Sequence, residues 1–95
     1  GDTFDAVISG VSDSFLYVEL LELFVNGAVA VEAMEGDYYF YDPSHYRLTG
    51  EVSRKVFQIG NLVRVTLIEV DRSRKRINFK LYSDKEVRIK ARKTA

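Results

Sequence analysis

A chain of 95 residues, 46% hydrophobic and 29% charged with a single proline, makes one globular domain and leaves no room for a second. The absence of cysteine excludes a disulfide framework and a cysteine zinc site, and no apolar run approaches the ~18 residues of a spanning helix, so a soluble chain with no membrane segment is expected. The formal net charge of zero conceals a steep dipole: residues 1–50 hold nine acids against Arg47 alone, net −8, and residues 51–95 hold thirteen Lys and Arg against five acids, net +8.

The chain opens on Gly1 without a methionine and enters a strand by Thr3, as a segment cut from something longer would. From Thr3 to Ser12, Phe4, Ala6 and Ile8 alternate with Asp5, Val7 and Ser9, and Gly10 and Val11 mark a bulge. Asp13 and Ser14 turn the chain into a second strand, Phe15 to Leu20, with Leu16, Val18 and Leu20 inward and Tyr17 and Glu19 outward. Leu21 to Asn26 reads as a loop with a small apolar cluster of its own, closed by the turn signal Asn26-Gly27. Ala28 to Val31 makes a short third strand, valines in and alanines out, and Met34 is placed to plug a barrel end.

Asp37 to Asp42 reads DYYFYD, Pro43-Ser44-His45 turns, and Tyr46 to Val52 returns, an extra hairpin that holds four of the six tyrosines. Arg54 to Ile59 is a short extended piece. Asn61 to Leu81 is the strongest hairpin in the chain: Val63, Val65 and Leu67 alternate with Arg64 and Thr66, and Ile77, Phe79 and Leu81 with Asn78, Lys80 and Tyr82. The alternation slips at Ile68, so a bulge is expected there, with Val70 turned inward. The hairpin tip carries Arg72, Arg74, Lys75 and Arg76, cations that repel one another unless an anion lies across them. Residues 83–95 form a basic C-terminal tail. No convincing helix is present. Bent strands of Greek-key length predict an all-β fold, a five-stranded Greek-key OB-fold barrel with the tyrosine-rich hairpin inserted between strands 3 and 4; an SH3-like barrel is the alternative.

Catalysis has little to draw on. His45 is the one histidine and stands in a turn beside Pro43, Glu35, Asp37 and Asp42 lack the spacing of a calcium loop, and no glycine-rich phosphate loop exists. No catalytic residue, metal ligand or cofactor is expected in this domain. Binding is better supplied: aromatic faces stack bases and cations follow phosphates, and Tyr17 is an outward strand aromatic with Arg64, Arg76 and Lys80 able to share an outer face. In the insertion, Tyr38 and Phe40 are expected to pack, while Tyr39 and Tyr41 are open to either use.

With the strands placed, GDTFDAVISGVS, FLYVEL, NGAVAV, IGNLVRVTLIEVD and RINFKL in that order resemble the S1 RNA-binding domain, an OB-fold repeat; the likeness covers residues 1–82. The inserted DYYFYDPSHYRLTGEVSRKVFQIG is similar to the segment between the third and fourth strands of this domain in ribonuclease R and its relatives, the ribonuclease II (RNB) exoribonucleases. Asp37, Tyr38, Tyr39, Tyr41, Asp42, Arg47, Leu48 and Gly50 occupy its places.

The resemblance implies a cytoplasmic accessory domain of a hydrolytic 3′-to-5′ exoribonuclease. It would feed single-stranded RNA to a catalytic domain that is outside this chain and is expected to use magnesium. The expected partners are therefore RNA, the catalytic and cold-shock domains of the parent, and the ribosome. Of the platform positions the family usually fills, Ser14 stands where the first aromatic falls, Tyr17 keeps the second, Phe15 replaces a common glycine, Ala30 replaces a histidine, and Asp71 and Arg76 are kept. The RNA-binding set is therefore Phe15, Tyr17, Arg64, Asp71, Arg72, Arg74, Lys75, Arg76 and Lys80, with Tyr39, Tyr41, His45 and Arg47 as a second rank. A protein-docking module with a lost RNA surface, and the S1 domain of a polynucleotide phosphorylase or translation factor, are the competing interpretations.

Overall fold

The computed structural model describes residues 2–82; the basic tail lies outside them. In chain order the strands are β1 (Thr3–Val11), β2 (Phe15–Leu20), β3 (Asn26–Ala30), β4 (Tyr39–Asp42), β5 (Arg47–Gly50), β6 (Val56–Gln58), β7 (Leu62–Asp71) and β8 (Arg76–Leu81). One 3-10 turn, Val31–Ala33, is the only helical piece among the described residues. β1, β2, β3, β8 and β7 close into a barrel in that order, and β4, β5 and β6 form a separate three-stranded sheet. This is the expected all-β OB-fold, its insertion widened from a hairpin to three strands because Val56–Gln58 pairs with β5.

Alternation fixes the barrel interior. Ala6, Ile8, Leu16, Val18, Leu20, Val29, Val65 and Phe79 are buried together, and Met34 closes the end after the 3-10 turn. Two bulges bend the walls. In β1 the register slips between Ile8 and Gly10, leaving Ser9 as the extra residue. In β7 it slips between Leu67 and Glu69, so that Ile68 is the bulge, as the sequence predicts. Val70 departs from expectation. It pairs with Ile77 and so lies on the core side, yet it is more than half exposed. The β1–β7 pairing ends at Thr3 opposite Thr66, so Val70 has already run past the wall that would cover it.

Two further expectations fail between β2 and β3. Leu21, Leu23 and Phe24 form no apolar cluster but are exposed, with Phe24 in a left-handed conformation (φ 52°) at the actual turn. Asn26-Gly27 is strand, paired with Glu19 and Val18. Gly27 serves packing: a Cβ there would collide with the Phe79 ring and stand 2.9 Å from the Ile77 carbonyl.

The insertion sheet shares the barrel's core through Leu48, which is fully buried, and Phe57. The turn after β6 is tied to β1 at Ile8, whose N–H donates to the Asn61 carbonyl at 2.9 Å and whose carbonyl accepts from the Gly60 N–H at 2.8 Å.

Candidate nucleic-acid interface

Phe15 and Tyr17 are two residues apart on β2, so both point outward while Leu16 and Val18 fill the core. The turn before them is fixed by Ser12, whose hydroxyl oxygen accepts from the N–H groups of Phe15 (3.0 Å) and Ser14 (3.3 Å). Tyr17 lies beside Gly10 in register, and a Cβ at Gly10 would come within 3.2 Å of Tyr17 Cδ2, so the absent side chain leaves the ring room. The Phe15 and Tyr17 ring centroids are 6.0 Å apart and tilted by 37°, and Tyr17 is 40% exposed.

Arg76 completes the cluster, its guanidinium carbon 4.6 Å from the Phe15 ring centroid, within cation–π range. The register explains how they meet. Ala28 pairs with Tyr17 on one side and Asn78 on the other. Phe15 precedes Tyr17 by two and Arg76 precedes Asn78 by two, but β2 runs antiparallel and β8 parallel to β3. The two side chains therefore approach along a diagonal that crosses Ala28. That accounts for a correction: Ala28 lies on the outer side as expected, yet is only 4% exposed.

Asp71 is engaged within its own hairpin tip. Its carboxylate accepts from Ser73 Oγ (2.8 Å) and the Arg74 N–H (3.1 Å), bonds that hold it below the ordinary carboxylate range, and it lies 3.9 Å from Arg74 Nε. It shapes the tip that carries Arg72, Arg74 and Lys75, all exposed, with Lys75 left-handed (φ 53°). Along β8 the outward residues are Arg76, Asn78 and Lys80, so Lys80 follows Arg76 by about 13 Å. Arg64 is drawn elsewhere. Its Nε lies 3.1 Å from Asp5 Oδ1, and it lines a groove of about 280 Å³ with Thr3, Phe4, Leu20, Glu22 and Leu23. Arg64, Arg76 and Lys80 share the barrel's exterior, with Lys80 opposite Thr66 and so diagonal to Arg64.

The insertion reverses the expectation for Tyr38 and Phe40 and decides the open one for Tyr39 and Tyr41. Tyr39 and Tyr41 lie opposite Gly50 and Leu48 and pack on the core. Tyr39 meets Phe57 edge-on at 5.5 Å, and burial pushes its hydroxyl pKa up. Both are half-buried. The exposed aromatics are Tyr38 (71%), Phe40 (43%) and Tyr46, which the sequence-based set omitted. The missed signal was parity: with four residues in the turn, Asp42 pairs with Arg47, and the one apolar residue of RLTG, Leu48, then lies beside Tyr41.

Both acids of DYYFYD are turn clamps. Asp37 accepts from the N–H groups of Tyr38 (2.7 Å), Val52 (3.2 Å) and Ser53 (2.7 Å), and the Ser53 hydroxyl first, then these N–H groups, hold its carboxyl well below the usual range. Asp42 is lowered to about 2, first by Ser44 Oγ at 2.7 Å and then by His45 Nδ1 at 2.8 Å. His45 and Ser44 thus belong to the β4–β5 turn, and Arg47 Nε, 3.7 Å from Asp42 Oδ2, is buried without a hydrogen-bond partner. Among the described residues no three His, Cys, Asp or Glu gather as a metal site, and no helix there is long and apolar enough to cross a membrane.

Residues 1–81 match the family model of the S1 RNA binding domain. The chain is 35% identical over all 95 residues to ribonuclease R of Escherichia coli, and 38% identical over 81 residues, 85% of its length, to ribonuclease R of Aquifex aeolicus. It spans 12% of the length of each. Among solved structures it resembles Mycoplasma genitalium RNase R, both in its apo form and in complex with ribose methylated single-stranded RNA. In both cases the TM-score is 0.82 and the identity 24%, over 86% of this chain and 13% of that one.

Proposed function

The chain belongs to the S1 RNA-binding domain family, and from that premise we propose that it holds single-stranded RNA on the outer face of β2, β3 and β8 as the accessory module of a ribonuclease R-type 3′-to-5′ exoribonuclease. The carrying observation is the cluster of Tyr17, Phe15 and Arg76 beside a tip with three exposed cations. A base stacked on the Tyr17 ring gains about 1–3 kcal/mol, whatever its identity, because every base has a π-face. Arg76 and the tip cations Arg72, Arg74 and Lys75 neutralise phosphates, and Lys80 extends the track along β8. Asp71 contributes by shaping the tip. His45 and Arg47 stand on the insertion, which we assign to scaffolding.

Hydrolysis is left to a catalytic domain of the parent chain. Relatives at 30–38% identity over 85–100% of this chain, all ribonucleases R, support that parentage. The test is the affinity of the chain for a short single-stranded oligoribonucleotide across a range of salt, with and without Tyr17→Ala. The expected result is binding that weakens linearly in log salt and a further loss of roughly 5- to 150-fold in the variant, with its fold intact. Binding unchanged by Tyr17→Ala would overturn the assignment and favour a module that docks protein.

A further inference from the structure

We infer that Phe15 serves RNA through Arg76: it is a positioning residue that holds the guanidinium over Ala28, so that a strand meets Tyr17 and Arg76, and not the Phe15 ring, as its two contact surfaces. This rests on the assignment of the β2–β3–β8 face to RNA.

Three observations carry it. The guanidinium lies 4.6 Å from the Phe15 centroid, so one face of that ring is already covered. The diagonal through Ala28 is set by backbone register, and Ala28 is buried although it points outward. The pair therefore spans β3, with Ala28 between its two members. Third, among the described residues no carboxylate oxygen lies within ion-pairing distance of Arg76, because its cross-strand neighbour Asp71 is taken up by Ser73 and Arg74. The charge of Arg76 is thus held in place by an uncharged ring and left available to an anion.

The physical advantage is preorganisation. An exposed arginine samples many rotamers, and fixing one on binding costs entropy. Stacking on Phe15 reduces that freedom beforehand and holds the planar guanidinium in one orientation. Lysine has no such plane, so the site is specific for arginine.

The experiment measures affinity for a short oligouridylate against salt in five forms of the chain: unaltered, Phe15→Leu, Phe15→Tyr, Arg76→Met, and Phe15→Leu with Arg76→Met. Phe15→Leu keeps an apolar side chain at the position, and Phe15→Tyr keeps the ring. If the inference holds, Arg76→Met makes the log–log salt slope shallower by about 0.7, one phosphate contact on a single strand. Phe15→Leu then lowers affinity together with the slope, the double variant binds no more weakly than Arg76→Met alone, and Phe15→Tyr restores both quantities. A Phe15→Leu variant that loses affinity at unchanged slope, with a loss that adds in full to that of Arg76→Met, would overturn the inference, since the ring would then be stacking bases itself. So would unchanged binding in both single variants. An unaltered chain that fails to bind the probe would overturn the assignment of the face and the inference with it, an outcome distinct from either.

Discussion

The barrel and the insertion both carry tyrosines and arginines and put them to different uses, while their aspartates clamp turns in both. On the barrel, Tyr17, Phe15 and Arg76 come together on the outside. On the insertion, Tyr39 and Tyr41 turn into the core, while Asp37 and Asp42 spend their lone pairs on the N–H and O–H groups of two turns. What separates the two is strand parity relative to a shared core. An aromatic is offered to a ligand only when its neighbours at odd spacing are the ones needed inside, as Leu16 and Val18 are around Tyr17. An exposed-looking run such as DYYFYD supplies half its rings to packing before any are left for recognition.

The comparison breaks most readily at Leu48. It is fully buried in the insertion yet belongs to the barrel's core cluster, so Leu48→Ala should cost about 2–5 kcal/mol. Denaturant unfolding should still show one transition. Two separate transitions would mean that the insertion is a unit of its own. The next largest effect is a crossed pair of losses: Tyr39→Ala should lower stability by roughly 1–3 kcal/mol and leave RNA affinity unchanged, whereas Tyr17→Ala should do the reverse. Unfolding midpoints and binding isotherms on the two variants would expose any exchange of roles.

Acid should loosen the insertion's turns. The carboxyl of Asp42 is depressed to about 2 from an ordinary 3.8, so the folded form favours the carboxylate. Its stabilising contribution is fully present above about pH 4 and is lost as the pH falls towards 2. Asp37 is displaced in the same direction. In an NMR pH titration the amide of Ser44 should shift across that window while the amides of Leu16 and Val18 hold, and those of Val52 and Ser53, bonded to the more strongly depressed Asp37, should follow only at lower pH. The smallest effect belongs to Tyr38, mostly exposed, where Tyr38→Ser should change stability by no more than about 0.5 kcal/mol.

Much of the barrel was legible because period-two alternation and a fixed inside leave little choice. The β7 slip at Ile68 could be placed to the residue from the point where apolar positions change phase. What was not legible depended on long-range register. Ala28 reads as an outward alanine until Arg76, 48 positions later, is seen to reach Phe15 above it. Asn26-Gly27 has the composition of a turn, and only the Phe79 ring against Gly27 reveals why a glycine stands in a strand. Arg64 alternates correctly but pairs with Asp5, a partner 59 residues away. Phe15 stands beside Tyr17 on the outer side of β2, but the arginine covering it could not be inferred from spacing.

The account stands or falls on which of the two regions an RNA strand touches. The measurement that decides it is a titration of the isotope-labelled chain with a short single-stranded RNA at low and moderate salt, following backbone amide shifts. The account predicts shifts centred on Phe15, Tyr17, Ala28 and Arg76, spreading into the tip at Arg72 to Lys75 and fading as salt rises, with the amides of β4 and β5 still. Shifts centred on Tyr38, Phe40 and Tyr46, with β2 and β8 unmoved, would contradict it and transfer the binding face to the insertion.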